Sequence, residues 1–138
     1  MQYFKDAEEL LELFGIDTSK PGAEDFYVMA DLYGLMSRFP QYRVTVADLA
    51  RLRMQERKMS PMVFWSRMKR AIKPLVEAEA ETLRALGVPC GWDSMTHKQT
   101  CPELIGSIGA YSSQGIDEHD STNAATAAHI ARMCGRAK

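Results

Sequence analysis

Apolar residues recur at helical spacing along most of the chain, and helix-stop residues interrupt them at intervals. Asp6 is placed to cap a first helix with Glu9 three residues on; Leu10, Leu13 and Phe14 form its stripe, and Gly15 suits a left-handed stop. Residues 16–22, with Asp-Thr-Ser-Lys-Pro-Gly, have turn chemistry. Over residues 23–39 apolar side chains (Phe26, Val28, Met29, Leu32, Tyr33, Leu35, Met36) occupy almost every angular position. That predicts a helix buried at the centre of the domain and ended by Pro40. Thr45 caps a third helix, with Asp48 in its first turn and Val46, Leu49 and Ala50 facing inward. After a polar break at residues 55–59, Ser60-Pro61 opens a fourth, because proline's missing N–H costs nothing in a first turn. Along it Phe64, Met68, Ala71, Ile72 and Leu75 share one side, while Met62, Ser66, Lys69, Arg70 and Lys73 share the other.

Pro74 kinks or closes that helix, and residues 75–86 continue helical up to Gly87. Residues 88–99 read as loop. Thr100-x-x-Glu103 has the form of a capping box, with Pro102 in the first turn and Leu104, Ile105 and Ile108 running towards Tyr111. Ser121 or Thr122 caps an alanine-rich helix over residues 123–134, with Ala127, Ile130, Ala131 and Cys134 on one face. No segment alternates as a strand does. The expectation is an all-α, compact multi-helix domain over residues 1–138, with a helix-turn-helix at about 44–73 and a carboxy-terminal helical extension over 100–135.

Charge sharpens this picture. The formal net charge of -1 conceals two basic and eight acidic residues over 1–37, ten basic and two acidic over 38–73, and five basic and eight acidic over 74–138. The three segments therefore carry -6, +8 and -3, and a cationic block inside a nearly neutral chain is the footprint of polyanion binding. A solvated charged surface is the bland alternative. No apolar run reaches membrane-spanning length, and residues 1–12 lack the basic and apolar regions of a signal peptide, so a cytoplasmic location without membrane contact is expected.

The third and fourth helices fit a helix-turn-helix whose second member enters the major groove of double-stranded DNA. Ser66, Arg67, Lys69, Arg70 and Lys73 are the candidate contacts from that member, and Arg51, Arg53, Arg57 and Lys58 the candidate phosphate anchors. Trp65, beside the apolar stripe, reads as core before it reads as a DNA wedge. Other chemistry is weakly signalled. Cys90, His97 and Cys101, with His119, His129 or Cys134, match no standard zinc spacing, and three unpaired-pattern cysteines imply reduced thiols. Glu77, Glu79 and Glu81 read as a solvated helical face; no nucleophile elbow, phosphate loop or zinc-protease motif is present, so neither an enzyme nor a cofactor is expected.

Several segments resemble, in order, the carboxy-terminal DNA-binding effector domain of the response regulators that initiate sporulation in endospore-forming bacteria. Residues 10–16, Leu-Leu-Glu-Leu-Phe-Gly-Ile, look like that domain's first helix and Gly-Val turn. Residues 67–72, Arg-Met-Lys-Arg-Ala-Ile, with Phe64, look like its recognition helix; residues 106–111 and Ser121-Thr122-Asn123 look like its late Gly-Tyr segment and the start of its last helix. The resemblance implies a helical transcription regulator that binds promoter-like DNA as a homodimer or as paired copies on tandem sites, here without the family's receiver domain. Val63, Trp65 and Ser66 stand at the family's base-reading Arg and Glu positions, while Arg70 keeps a polar reader, so the target sequence is not inherited. Those departures motivate an alternative: a protein-interaction module or inhibitor of phage or mobile-element type, on the same fold, engaging a protein partner through its acidic surfaces.

Overall fold

The structure is a computed structural model and describes residues 4–89 and 99–136. Every regular element among them is helical. α1 (Ala7–Leu13) starts where the Asp6 carboxylate accepts the Glu9 N–H and stops at Gly15, whose φ of 72° is the left-handed conformation that glycine tolerates. α2 (Pro21–Ser37) is the hub: Phe26, Met29 and Ala30 are fully buried, and α1, α3, α4 and α7 all pack against it. An all-round apolar helix has no solvent face, which is why it sits in the middle.

α2 ends at Ser37, capped by Arg38, close to the expected end at about Phe39, and Pro40 opens a 3-10 turn (Pro40–Tyr42) closed by Arg43 in a left-handed conformation. α3 (Val46–Arg57) carries the expected capping box: Thr45 Oγ1 accepts the Asp48 N–H and Asp48 accepts the Thr45 N–H. It runs through most of the expected polar break and is closed by left-handed Lys58, leaving only residues 58–60 before α4 (Pro61–Ala71). α4 is shorter than its periodicity implies. Pro74 has no N–H to give the Arg70 carbonyl, so the chain breaks at Ile72 and resumes as a single turn, α5 (Lys73–Val76). The expected continuous helix over 75–86 is likewise split: Glu77 closes α5, and α6 (Ala80–Ala85) starts after a kink at Ala78 and Glu79. Glu77, Glu79 and Glu81 are all exposed, as a solvated run should be.

α7 (Cys101–Ser113) has the Thr100/Glu103 capping box, and α8 (Ser121–Met133) is capped by Asp120, one residue before the two candidates. α7 lies along α2 in the most extensive helix pair of the fold, so this part of the expected extension belongs to the core, while α8 packs more lightly through Ala127, Ile130 and Ala131. The two backbones approach closely because glycines face each other: a Cβ on Gly34 would fall 2.8 Å from the Gly109 carbonyl oxygen. Phe4 stacks on Tyr111 with centroids 4.0 Å apart, and the Tyr111 hydroxyl donates to the Phe4 carbonyl, pinning the chain's beginning to α7. Among the described residues no helix is long and apolar enough to cross a membrane.

Candidate nucleic-acid interface

α4 is held by its inner side. Phe64, Met68 and Ile72 are essentially fully buried, Trp65 is half-buried and meets Phe64 edge to face, and a Cβ on Gly22 of α2 would sit 2.8 Å from the Arg67 carbonyl oxygen. Glycine at position 22 therefore sets how closely α4 seats on α2. The outer side carries Met62, Ser66, Lys69, Arg70 and Lys73, all exposed, with Val63 on its flank. At the amino-terminal end Met62 is 80% exposed, an uncommon setting for a large apolar side chain. A cleft of about 780 Å³ borders this face between Trp65, Lys69, Arg70 and Lys73 on one side and Thr100 and Cys101 on the other.

Three of the nine candidate contacts behave differently from the expectation of open cations. Asp25, 1% exposed, draws Arg53, Arg57 and Arg67 towards α2. Its Oδ1 accepts from Arg53 Nη2 at 2.7 Å, Arg53 Nε at 3.0 Å and Arg57 Nε at 3.1 Å, and its Oδ2 accepts from Arg67 Nη2 at 2.6 Å. Glu24 binds Arg57 at 3.0 Å and Arg53 at 3.4 Å, and Glu56 binds Arg53 at 3.3 Å. Desolvation works against the Arg57 charge, but Asp25 and Glu24 outweigh it and hold its pKa above the ordinary arginine range. The physical reason for the correction is long-range. A buried carboxylate needs charged partners, and the nearest ones come from α3 and α4. Arg67 in particular, expected as a DNA contact, is instead the tie between α4 and α2.

The other candidates are spread over two surfaces. Ser66, Lys69, Arg70 and Lys73 share the α4 face, with Lys73 only loosely paired to Glu77 at 3.9 Å. Arg51 and Lys58 are exposed on and after α3, with Arg51 3.6 Å from Asp48. Asp48 is itself held more tightly by Arg136, whose Nε and Nη2 lie 3.1 and 3.3 Å from its two oxygens. Burial opposes the Asp48 charge, yet the Thr45 amide and the Arg136 guanidinium keep its pKa below the ordinary carboxylate range. The chain's last described residue thus secures the start of α3. Sequence reasoning missed this contact and the Asp25 cluster. The one local signal for the cluster was the Glu24-Asp25 pair opening a largely apolar helix.

Of the zinc candidates, Cys90 and His97 lie outside the described residues. Among those described, no three His, Cys, Asp or Glu side chains gather as a metal site. Burial pushes the Cys101 thiol up to about 11 and raises that of Cys134, which disfavours thiolate.

No family model matches this chain, and no curated protein or solved structure shows significant similarity to it.

Proposed function

We propose that this chain binds double-stranded DNA and regulates transcription, with α3 and α4 forming a helix-turn-helix and α4 as the recognition helix. The observation that carries the reading is the outer face of α4. Ser66, Lys69 and Arg70 project from a helix whose opposite side is locked into the core, and Lys73 continues the face past the break. A rigid helix with an apolar inside and a cationic outside is what insertion into a major groove requires. The three-residue turn after α3 and the ordered resemblance to the sporulation effector domain support the same reading. In it Lys69 and Lys73 meet phosphates, Arg70 and Ser66 sit where base edges or adjoining phosphates pass, and Met62 and Val63 offer apolar contact to thymine methyl groups.

The exposure of Met62 and Val63 also favours a second reading, a protein-interaction module that buries this apolar tip in a partner. Selection of bound duplexes from a random pool separates the two. Enrichment of a motif, with affinity falling on Lys69→Ala, supports the regulator. No duplex retained at ~50 mM salt, where electrostatic binding is strongest, rejects it.

A further inference from the structure

α2 begins in an unusual way. Its N-cap residue is Lys20, which cannot accept a backbone N–H, and Pro21 follows, so no side chain caps the helix. A cation at this position also opposes the helix dipole. The first turn therefore keeps the Gly22 and Ala23 amides outside the helix's own bonding, the first intrahelical bond being from Glu24 to Lys20.

Directly beside this terminus lies a recess of about 230 Å³ lined by Lys20, Pro21, Gly22, Arg67, Arg70 and Ala71. Its lining is cationic and only partly paired. The neighbouring cluster balances, with Arg53, Arg57 and Arg67 against Glu24, Asp25 and Glu56, but Lys20 and Arg70 pair with no carboxylate among the described residues. Asp17, the acidic group nearest Lys20 in sequence, accepts from the Ser19 amide and hydroxyl and feels the Lys20 charge without forming an ion pair with it. Arg67 also lines the recess, but its Nη2 is given to Asp25, leaving a buried Nε without a hydrogen-bond partner. The close seating at Gly22 is what brings Arg67 and Arg70 of α4 to the start of α2.

We infer that this recess is a phosphate-binding site, in which Lys20 and Arg70 hold one backbone phosphodiester of the bound duplex while Arg67 stays in its ion pair with Asp25. The inference rests on the DNA-binding reading for the source of the phosphate, not for the site itself. It also has Arg70 tie the recognition helix to the sugar-phosphate backbone, through the same anion that α2 engages. Helix termini and paired basic side chains are the two devices by which proteins most readily hold phosphate, and here both face one cavity.

The test has two arms. In the first, binding of motif-bearing and scrambled duplexes is measured against salt for the wild type, Lys20→Ala and Lys20→Arg. Lys20→Ala is expected to weaken both duplexes by a similar factor, roughly three- to tenfold, and to flatten the log–log salt slope by about 0.9, with Lys20→Arg restoring both. Unchanged affinity and slope in Lys20→Ala overturns the phosphodiester contact. In the second arm, inorganic phosphate is titrated while the Gly22 and Ala23 amide resonances are followed. Saturable shifts that vanish in Lys20→Ala support the anion site even if no duplex is retained, in which case the regulator reading falls and a free phosphorylated ligand is the occupant. Absence of those shifts, with a normal salt slope in Lys20→Ala, removes the site and leaves the regulator reading standing.

Discussion

Four guanidinium nitrogens from three arginines converge on the two oxygens of Asp25, and its fully buried position makes the arrangement consequential. Without the carboxylate, Arg67 would lose its partner and Arg53 and Arg57 would keep only Glu24 and Glu56. Asp25→Asn keeps the shape and removes the charge, and it is expected to cost about 2 to 4 kcal/mol. That is below the full value for breaking a buried pair, because the guanidinium groups are part-exposed and can turn to water. Urea unfolding checks it, and a loss under about 0.5 kcal/mol would show that Asp25 does not organise α2, α3 and α4. Asp31 gives a pH signature of opposite character. Burial, reinforced by Asp6 and Glu8 against hydrogen bonds from the Ala7 amide and the Ser112 hydroxyl, pushes its pKa from 3.8 up to about 6. The folded protein then holds that proton more tightly than the unfolded chain, so the contribution is fully present below about pH 4 and is lost as pH rises to about 6. Asp31→Asn should abolish this fall. The difference in stability between variant and wild type, followed from pH 4 to 7, should grow in the variant's favour, and a flat difference would refute the shift.

At the scale of elements, helix ends were readable because a cap involves residues within four positions of each other. Asp6, Thr45, Thr100, Gly15 and Gly87 all stand where local chemistry put them. Breaks that depend on hydrogen-bond loss several residues upstream were less so. The Pro74 break was expected, but the second break at residues 77–79, which leaves two short helices in 73–86, was not. Long-range partners were not readable at all. Arg67 and Asp25 are 42 positions apart and Arg136 and Asp48 are 88 apart, and no periodicity encodes such pairings. The same holds for Gly22, an ordinary turn residue in sequence that becomes the contact point of α2 and α4. Gly22→Ala would force its methyl against the Arg67 backbone, which cannot swing aside, and should destabilise the protein by about 1 to 3 kcal/mol. Gly106→Ala is the control: it lies mid-helix with nothing within 4 Å of an added Cβ, so it should be neutral or stabilising by up to about 1 kcal/mol. Equal effects of the two substitutions in thermal unfolding would mean that close seating of α4 on α2 is not what Gly22 provides.

Over the whole molecule, the acidic amino-terminal segment and the basic middle segment partly cancel, because α2 delivers Glu24 and Asp25 to arginines of α3 and α4. Eight cations were candidates for DNA contact, and three of them (Arg53, Arg57 and Arg67) are committed to carboxylates in the folded protein. Arg51, Lys58, Lys69, Arg70 and Lys73 remain exposed, and Lys20 joins them if the recess beside α2 holds a phosphate. Each neutralised phosphate contributes roughly -0.9 to the slope of log K against log salt, and because Lys20 and Arg70 share one phosphate, five phosphates set a limit of about -4.5. All eight candidates acting together would give about -7 or steeper. The slope on a random-sequence duplex distinguishes these cases without knowledge of the target. A value no steeper than about -4.5 means that the Asp25 cluster stays intact on DNA and α4 docks as a rigid unit. A value near -7 means that the duplex competes with Asp25 for its arginines; Asp25→Asn should then tighten binding by freeing them, whereas with the cluster intact it should weaken binding by loosening α4.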